Sequence, residues 1–257
     1  MMKKVLGTVT VLALSVSLLA GCGSTAASPV SPAASTAAES TTSSVVSETT
    51  SATADENVAA AAQLLNDLTG SYQELWPVIL ADEYQQTWLD DCTALVGEEN
   101  AEVAFEKLSS MVTSDVYGED AVEAYANGGG AYFCGFTNSL ATLTFDGETS
   151  TISGTDKDGN VLFSHTYHYI GMEPVHGLYE FESDDADSGE FTYFFLAPDT
   201  SAETYHIEFR YGSDAEALSQ YDAGEYAYWV ASGISTDCDQ TMIDNCIELF
   251  CTENLAG

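Results

Sequence analysis

Positive charge is what this chain lacks. Five Lys and Arg stand against 41 Asp and Glu, for a formal net charge of −36. That excludes nucleic acid as a partner, because phosphate binding is driven by Lys and Arg. It also argues against adhesion to anionic headgroups through charge. A field of this sign gathers cations nearby, although a solvated acidic exterior that keeps a secreted protein soluble accounts for the same composition. Cysteine is sparse: Cys22, Cys92, Cys134, Cys238, Cys246 and Cys251, with no C-x-x-C. Neither a redox dithiol nor a zinc-ribbon knuckle is therefore indicated. G-x-S-x-G, H-E-x-x-H, the P-loop and the dinucleotide fingerprint are all missing. Carboxylate pairs discriminate nothing in a chain this acidic, so no catalytic residue is nominated and no enzyme is expected.

Long apolar runs are also missing, except at the start. Lys3 and Lys4 precede an apolar stretch from Val5 to Leu19, closed by Leu19-Ala20-Gly21-Cys22. This is the layout of a secretory signal peptide, too short for a comfortable membrane span. A small-residue pair before a cysteine resembles the bacterial lipoprotein box, in which Cys22 is lipidated and becomes the first residue of the mature chain. The alternative is an ordinary cleaved signal followed by an incidental cysteine. The lipoprotein reading places the protein outside the cytosol, held at the cell membrane by lipid alone. Disulfides are permitted there. Five cysteines beyond Cys22 leave at least one unpaired, and the pairing is open.

Three segments follow from composition: residues 1–21 as signal, 22–56 as lipidated cysteine and tether, and 57–257 as one folded domain. The tether is Ser, Thr and Ala with scattered Pro, without the large apolar content that offsets ordering entropy. As a flexible coil it spans on the order of 30 Å. The domain, about 200 residues, is large enough for a full core.

Val58, Ala61, Leu65 and Leu68 predict a helix ending before Gly70. Ser71-x-x-Glu74 predicts a capping box that opens a second helix, with Pro77 in its first turns. AEVAFEKLSSMV (101–112) predicts a third. From Ala131 to Tyr211 the period changes to two. ATLTF, VLFSHTYHYI, LYEFE, FTYFFLAP and TYHIEFRY are separated by turn signals such as Asp146-Gly147 and TDKDGN. Thr236-x-x-Asp239 then caps a last helix whose one face carries Met242, Ile243, Cys246, Ile247 and Phe250. The expected class is α+β, an antiparallel β-barrel with flanking α-helices.

All four histidines fall in the strand region: His165, His168, His176 and His206. His165 and His168, three apart, belong on opposite faces of a regular strand, so both are read as surface or satisfied residues. His176 is placed at a turn. His206, in ETYHIEFRYG, points away from the Tyr205-Ile207-Phe209 face. TDKDGN and the acidic SDDADSGE could suggest calcium, but the glycine spacing of an EF-hand loop is wrong. A hairpin turn and a solvated loop are the preferred readings.

Several segments in order resemble the ZinT/YodA zinc-binding proteins. LTGSYQELWPVIL is similar to their G-x-W-Q-x-x-Y-P-x-L opening, and YHYIGM to a Y-x-Y-x-G-Y strand. FFLAPD and TYHIEFRYGSDAEAL resemble H-x-x-A-P followed by H-F-H-I and G-N-D-x-x-x-x-L. The resemblance implies a calycin-like (lipocalin-like) barrel and extracytoplasmic zinc binding or delivery to an ABC importer. It implies zinc held by three histidines, which fall here on Phe194, Thr204 and His206, so only His206 is retained. The family's His-rich metal-gathering stretch is replaced by the Ser/Thr tether. Glu203 and His176 are the candidates to complete a set with His206. The expected function is zinc or divalent-metal binding at a degenerate site, accessory to uptake. The alternative is a calycin lipoprotein that has lost metal binding and takes a small ligand or a partner protein.

Overall fold

The computed structural model describes residues 45–128, 130–198 and 206–256, with side chains from Glu56 onward. Cys22 and residues 1–44 of the signal and tether lie outside them. The compact folded unit is Val58–Gly257. Its central feature is a closed antiparallel barrel of eight strands in chain order: β1 (Gly70–Glu74), β2 (Thr142–Asp146), β3 (Thr151–Thr155), β4 (Val161–Met172), β5 (Tyr179–Ser183), β6 (Tyr193–Leu196), β7 (His206–Gly212) and β8 (Ala231–Ser235). Each strand pairs with its neighbour in sequence, and β1 closes the ring against β8 through Tyr72↔Ser235 and Glu74↔Gly233. The fold is α+β, an antiparallel barrel as the strand alternation predicts, and calycin-like as the family resemblance implies.

Eight strands enclose a lumen just wide enough for side chains to fill, and aromatic rings fill this one. Phe145, Phe163, Phe181, Phe194, Phe209 and Tyr211 are all buried. Phe163 stacks on Phe191 with ring centroids 4.0 Å apart. Gly154 makes room for this packing: a Cβ there would lie 2.4 Å from both Leu140 and Phe163.

Helices cover the outside of the β1–β8 seam. They are α2 (Leu75–Ile79), α3 (Gln85–Val96), α4 (Ala101–Ser110) and the last helix, α7 (Gln240–Leu255). Trp76, Ile79, Trp88, Leu108, Ile243 and Ile247 form their shared core with Ile234 from the outer face of β8. The buried Trp88 indole donates to the Ile79 carbonyl at 2.7 Å. Asp239 caps α7 by accepting from the Met242 amide at 2.9 Å. α1 (Val45–Asp67) begins inside the stretch read as tether, and α5 (Glu119–Ala126) and the single turn α6 (Ala215–Leu218) complete the helices named here. Among the described residues no helix is long and apolar enough to cross a membrane.

One expectation is corrected. Residues 70–74 do not open a helix but form β1. The Ser71 hydroxyl pairs with that of Thr144 at 2.8 Å, and Glu74 accepts the Phe136 amide at 2.6 Å. The strand has partners on both edges, and those two ladders outweigh a local capping signal. The helix begins one residue later, at Leu75.

Candidate functional site

β7 presents two unlike faces. Ile207, Phe209 and Tyr211 point into the barrel, while His206, Glu208 and Arg210 alternate on the outside. The orientation expected for His206 therefore holds. Its Nε2 lies 3.9 Å from Glu208 Oε1, with side chains 16% and 27% exposed. Glu208 was not among the sequence candidates. Its signal was the two-residue spacing, which puts His206 and Glu208 on one face of a strand.

Arg210, the only arginine, is fully buried beyond Glu208. Its guanidinium donates to the carbonyls of Leu218, Gln220 and Tyr226, and so holds the chain after α6 against the barrel. Its Cζ sits 4.2 Å over the centre of the Tyr221 ring. Burial pulls the guanidinium pKa down, though not enough to discharge an arginine. The same ring contacts His176, with centroids 3.8 Å apart.

His176 lies in the turn between β4 and β5, as predicted. Glu173, wholly buried, shapes that turn by accepting the amides of Val175 and His176 at 2.8 and 2.6 Å. The His176 Nδ1 lies 3.8 Å from Glu173 Oε2 and makes no hydrogen bond. Burial lowers the His176 pKa, with Glu173 opposing and Arg210 assisting, so the ring is neutral at pH 7 and keeps a lone pair. Among the described residues no group of three or more His, Cys, Asp or Glu side chains is arranged to hold a metal. Glu203 and Thr204 lie outside the described residues, so the proposed trio of His206, His176 and Glu203 is not assembled within them.

Phe194, the other position that the resemblance assigns to a ligand, faces inward. It pairs with Tyr211 across the β6–β7 ladder and packs on Phe163, Tyr167 and Phe209. His206 faces outward and pairs with Ile234 on β8. The two positions are on opposite faces of the sheet and cannot serve one ion.

The remaining histidines are structural. His165 donates to Asp185 at 2.7 Å, and His168 donates to Asp184 at 2.8 Å, on opposite faces of β4. Together they pin the acidic β5–β6 loop. In TDKDGN the Asp156 carboxylate is taken up by the amides of Asp158 and Asn160 and by the Asn160 side chain. It makes a hairpin turn.

No family model matches the chain, and no curated protein matches it. Among solved structures the chain is similar to the Zn(II)-bound ZinT-like domain of Streptococcus pneumoniae AdcA, at 16% identity and TM-score 0.45, covering 72% of this chain and 89% of that one. It is also similar to Zn(II)-bound AdcA from Streptococcus pneumoniae, at 15% identity and TM-score 0.42, covering 73% of this chain and 35% of that one. The chain thus spans about a third of that longer protein. At these identities the likeness is one of fold.

Proposed function

We propose that this protein is an extracytoplasmic lipoprotein, anchored through Cys22, that binds a divalent metal ion at His206 and Glu208 and serves metal uptake. The observation that carries the metal reading is the His206–Glu208 pair. Zinc–nitrogen and zinc–oxygen bonds are each about 2.0–2.2 Å, so two ligands of one tetrahedral ion stand roughly 3.4 Å apart. The observed 3.9 Å closes to that separation with a small side-chain rotation. The segment around it is the one that resembles the H-F-H-I strand of the ZinT/YodA proteins, which makes zinc the first ion to test. Glu203, just before the strand, and His176, neutral and with an unused Nδ1, are the side chains to complete the set. An ABC importer is the partner the resemblance implies.

Calorimetric titration with zinc tests the reading. Binding at micromolar zinc, weakened at least tenfold in His206→Ala and Glu208→Gln, is expected. Absence of heat, or unchanged affinity in both variants, overturns it. Membrane fractionation of the Cys22→Ser variant tests the anchor separately, with release into the soluble fraction expected.

A second reading rests on Phe194. If the inner ligand position of the family has become part of an aromatic core, metal binding is lost and the barrel serves as a scaffold. The filled lumen then favours a partner protein on the outer surface over a small ligand inside. A silent titration in a well-folded sample selects this reading.

A further inference from the structure

α3 and α7 pack side by side, with buried cysteines on both helices. Cys92 on α3 and Cys251 on α7 are both fully buried, 159 positions apart in sequence, with their sulfurs 3.9 Å apart. We infer that Cys92 and Cys251 are the disulfide-forming pair of this fold, a covalent staple that ties the last helix to the helical layer. Closing the pair to the length of an S–S bond moves the sulfurs together by about 2 Å. That is within the reach of χ1 rotation and a small adjustment of two helices that already touch. The other cysteines are placed differently. Cys134 lies at the outer face of β8, where Ser232 donates its amide to the Cys134 carbonyl. Cys238 precedes α7, and Cys246 sits one and a half turns before Cys251 on the same helix. The pairing that the odd cysteine count left open is thereby assigned for Cys92 and Cys251.

The staple would close the longest loop available to these cysteines, and longer closed loops remove more freedom from the unfolded chain. It would also act late. Cys251 follows Cys92 by 159 positions, so Cys92 waits until that whole stretch has been delivered. In the folded protein burial raises both thiol pKa values and keeps the sulfurs protonated and unreactive. The bond therefore forms while α7 is docking. A thiolate of one cysteine attacks a small disulfide such as oxidised glutathione and releases one glutathione thiolate. The second cysteine thiolate then attacks the protein sulfur of the mixed disulfide and releases the other. Two protein thiols become one disulfide, and one oxidised glutathione becomes two reduced ones. In the cell a disulfide-bearing thiol oxidoreductase outside the cytosol would take the place of glutathione. The cellular event thus rests on the extracytoplasmic reading, whereas the pairing does not.

Refolding the reduced full chain in a glutathione redox buffer tests the pairing. The remaining thiols are alkylated and the linked peptides mapped by mass spectrometry. A Cys92–Cys251 linkage in the dominant product is expected. No linkage, or a dominant linkage through Cys134, Cys238 or Cys246, overturns the proposal. Cys92→Ser and Cys251→Ser control for folding: reductant should lower the melting temperature of the oxidised parent and leave that of either variant unchanged. Equal sensitivity to reductant in parent and variants also overturns it. Thiol trapping on the exporting cell reads the location independently, because a bond formed in the refolded chain but absent there counts against export and leaves the pairing standing.

Discussion

Phe194 lies directly across the β6–β7 ladder from Tyr211, their ring centroids 5.4 Å apart and both side chains sealed inside the barrel. The position that the ZinT resemblance assigns to a zinc ligand is thus part of an aromatic stack. Phe194→Ala should cost about 3–5 kcal/mol by deleting a buried ring. Phe194→His should also destabilise, by roughly 1–3 kcal/mol for a buried nitrogen left without a partner, and should confer no zinc affinity, since His206 is on the other face. Urea denaturation and zinc titration of both variants check this. Tighter zinc binding in Phe194→His would move the metal site into the lumen.

Arg210 is held on three carbonyls and one aromatic ring, so it acts as a clasp between β7 and the segment that carries Tyr221 and Tyr226. Arg210→Met leaves those carbonyls buried without donors and should cost about 3 kcal/mol or more. Arg210→Lys keeps the charge but not the planar fork and should recover only part of the loss. Chemical denaturation ranks the three proteins, and full recovery by lysine would mean that charge alone holds the segment.

Most of the barrel was legible because its strands alternate. Phe163, His165 and Tyr167 against Ser164, Thr166 and His168 show the period directly, and β4 was placed at its observed start. β8 was not legible: ASGIS is buried on both faces, by the lumen and by the helical layer, so it carries no alternation. β1 was misread because a strand whose two edges are both paired overrides a local cap. α3 was missed because only Trp88 and Cys92 of its twelve residues are buried, too sparse an apolar face to read. At the site, His206 and its outward orientation came from spacing alone. Glu208 was hidden among 41 acidic residues, and Arg210 belongs to a residue type expected at the surface.

The C-terminal turn of α1 meets the β2–β3 turn at Gly147. A Cβ there would lie 2.4 Å from the Asn66 Cα and 2.6 Å from the Leu65 carbonyl. These are backbone atoms, which cannot swing aside as a side chain would. Gly147→Ala should cost about 1–3 kcal/mol through overpacking. Gly159 sits in open space with φ +81°, so Gly159→Ala should cost only the backbone strain, about 1 kcal/mol. Thermal denaturation of the pair separates the two causes, and equal losses would show that α1 yields freely.

Asp156 supplies the pH-dependent part of the β3–β4 turn. Its carboxylate accepts from the Asn160 side chain and from the amides of Asn160 and Asp158, and these bonds hold its pKa below the usual 3.8. A carboxyl whose folded pKa is depressed stabilises the fold above its unfolded pKa and loses that contribution as pH falls through the folded value. Asp156→Ala should therefore be less stable than the parent at pH 7, with the gap closing as pH drops below about 3.8. Asp156→Asn keeps one acceptor oxygen and should lie between them at neutral pH, with no acid-dependent change of its own at this site. Urea midpoints of the three proteins at pH 7, 5 and 3 test this. A gap between parent and Asp156→Ala that stays constant down to pH 3 would show that the ionised carboxylate contributes nothing to the turn.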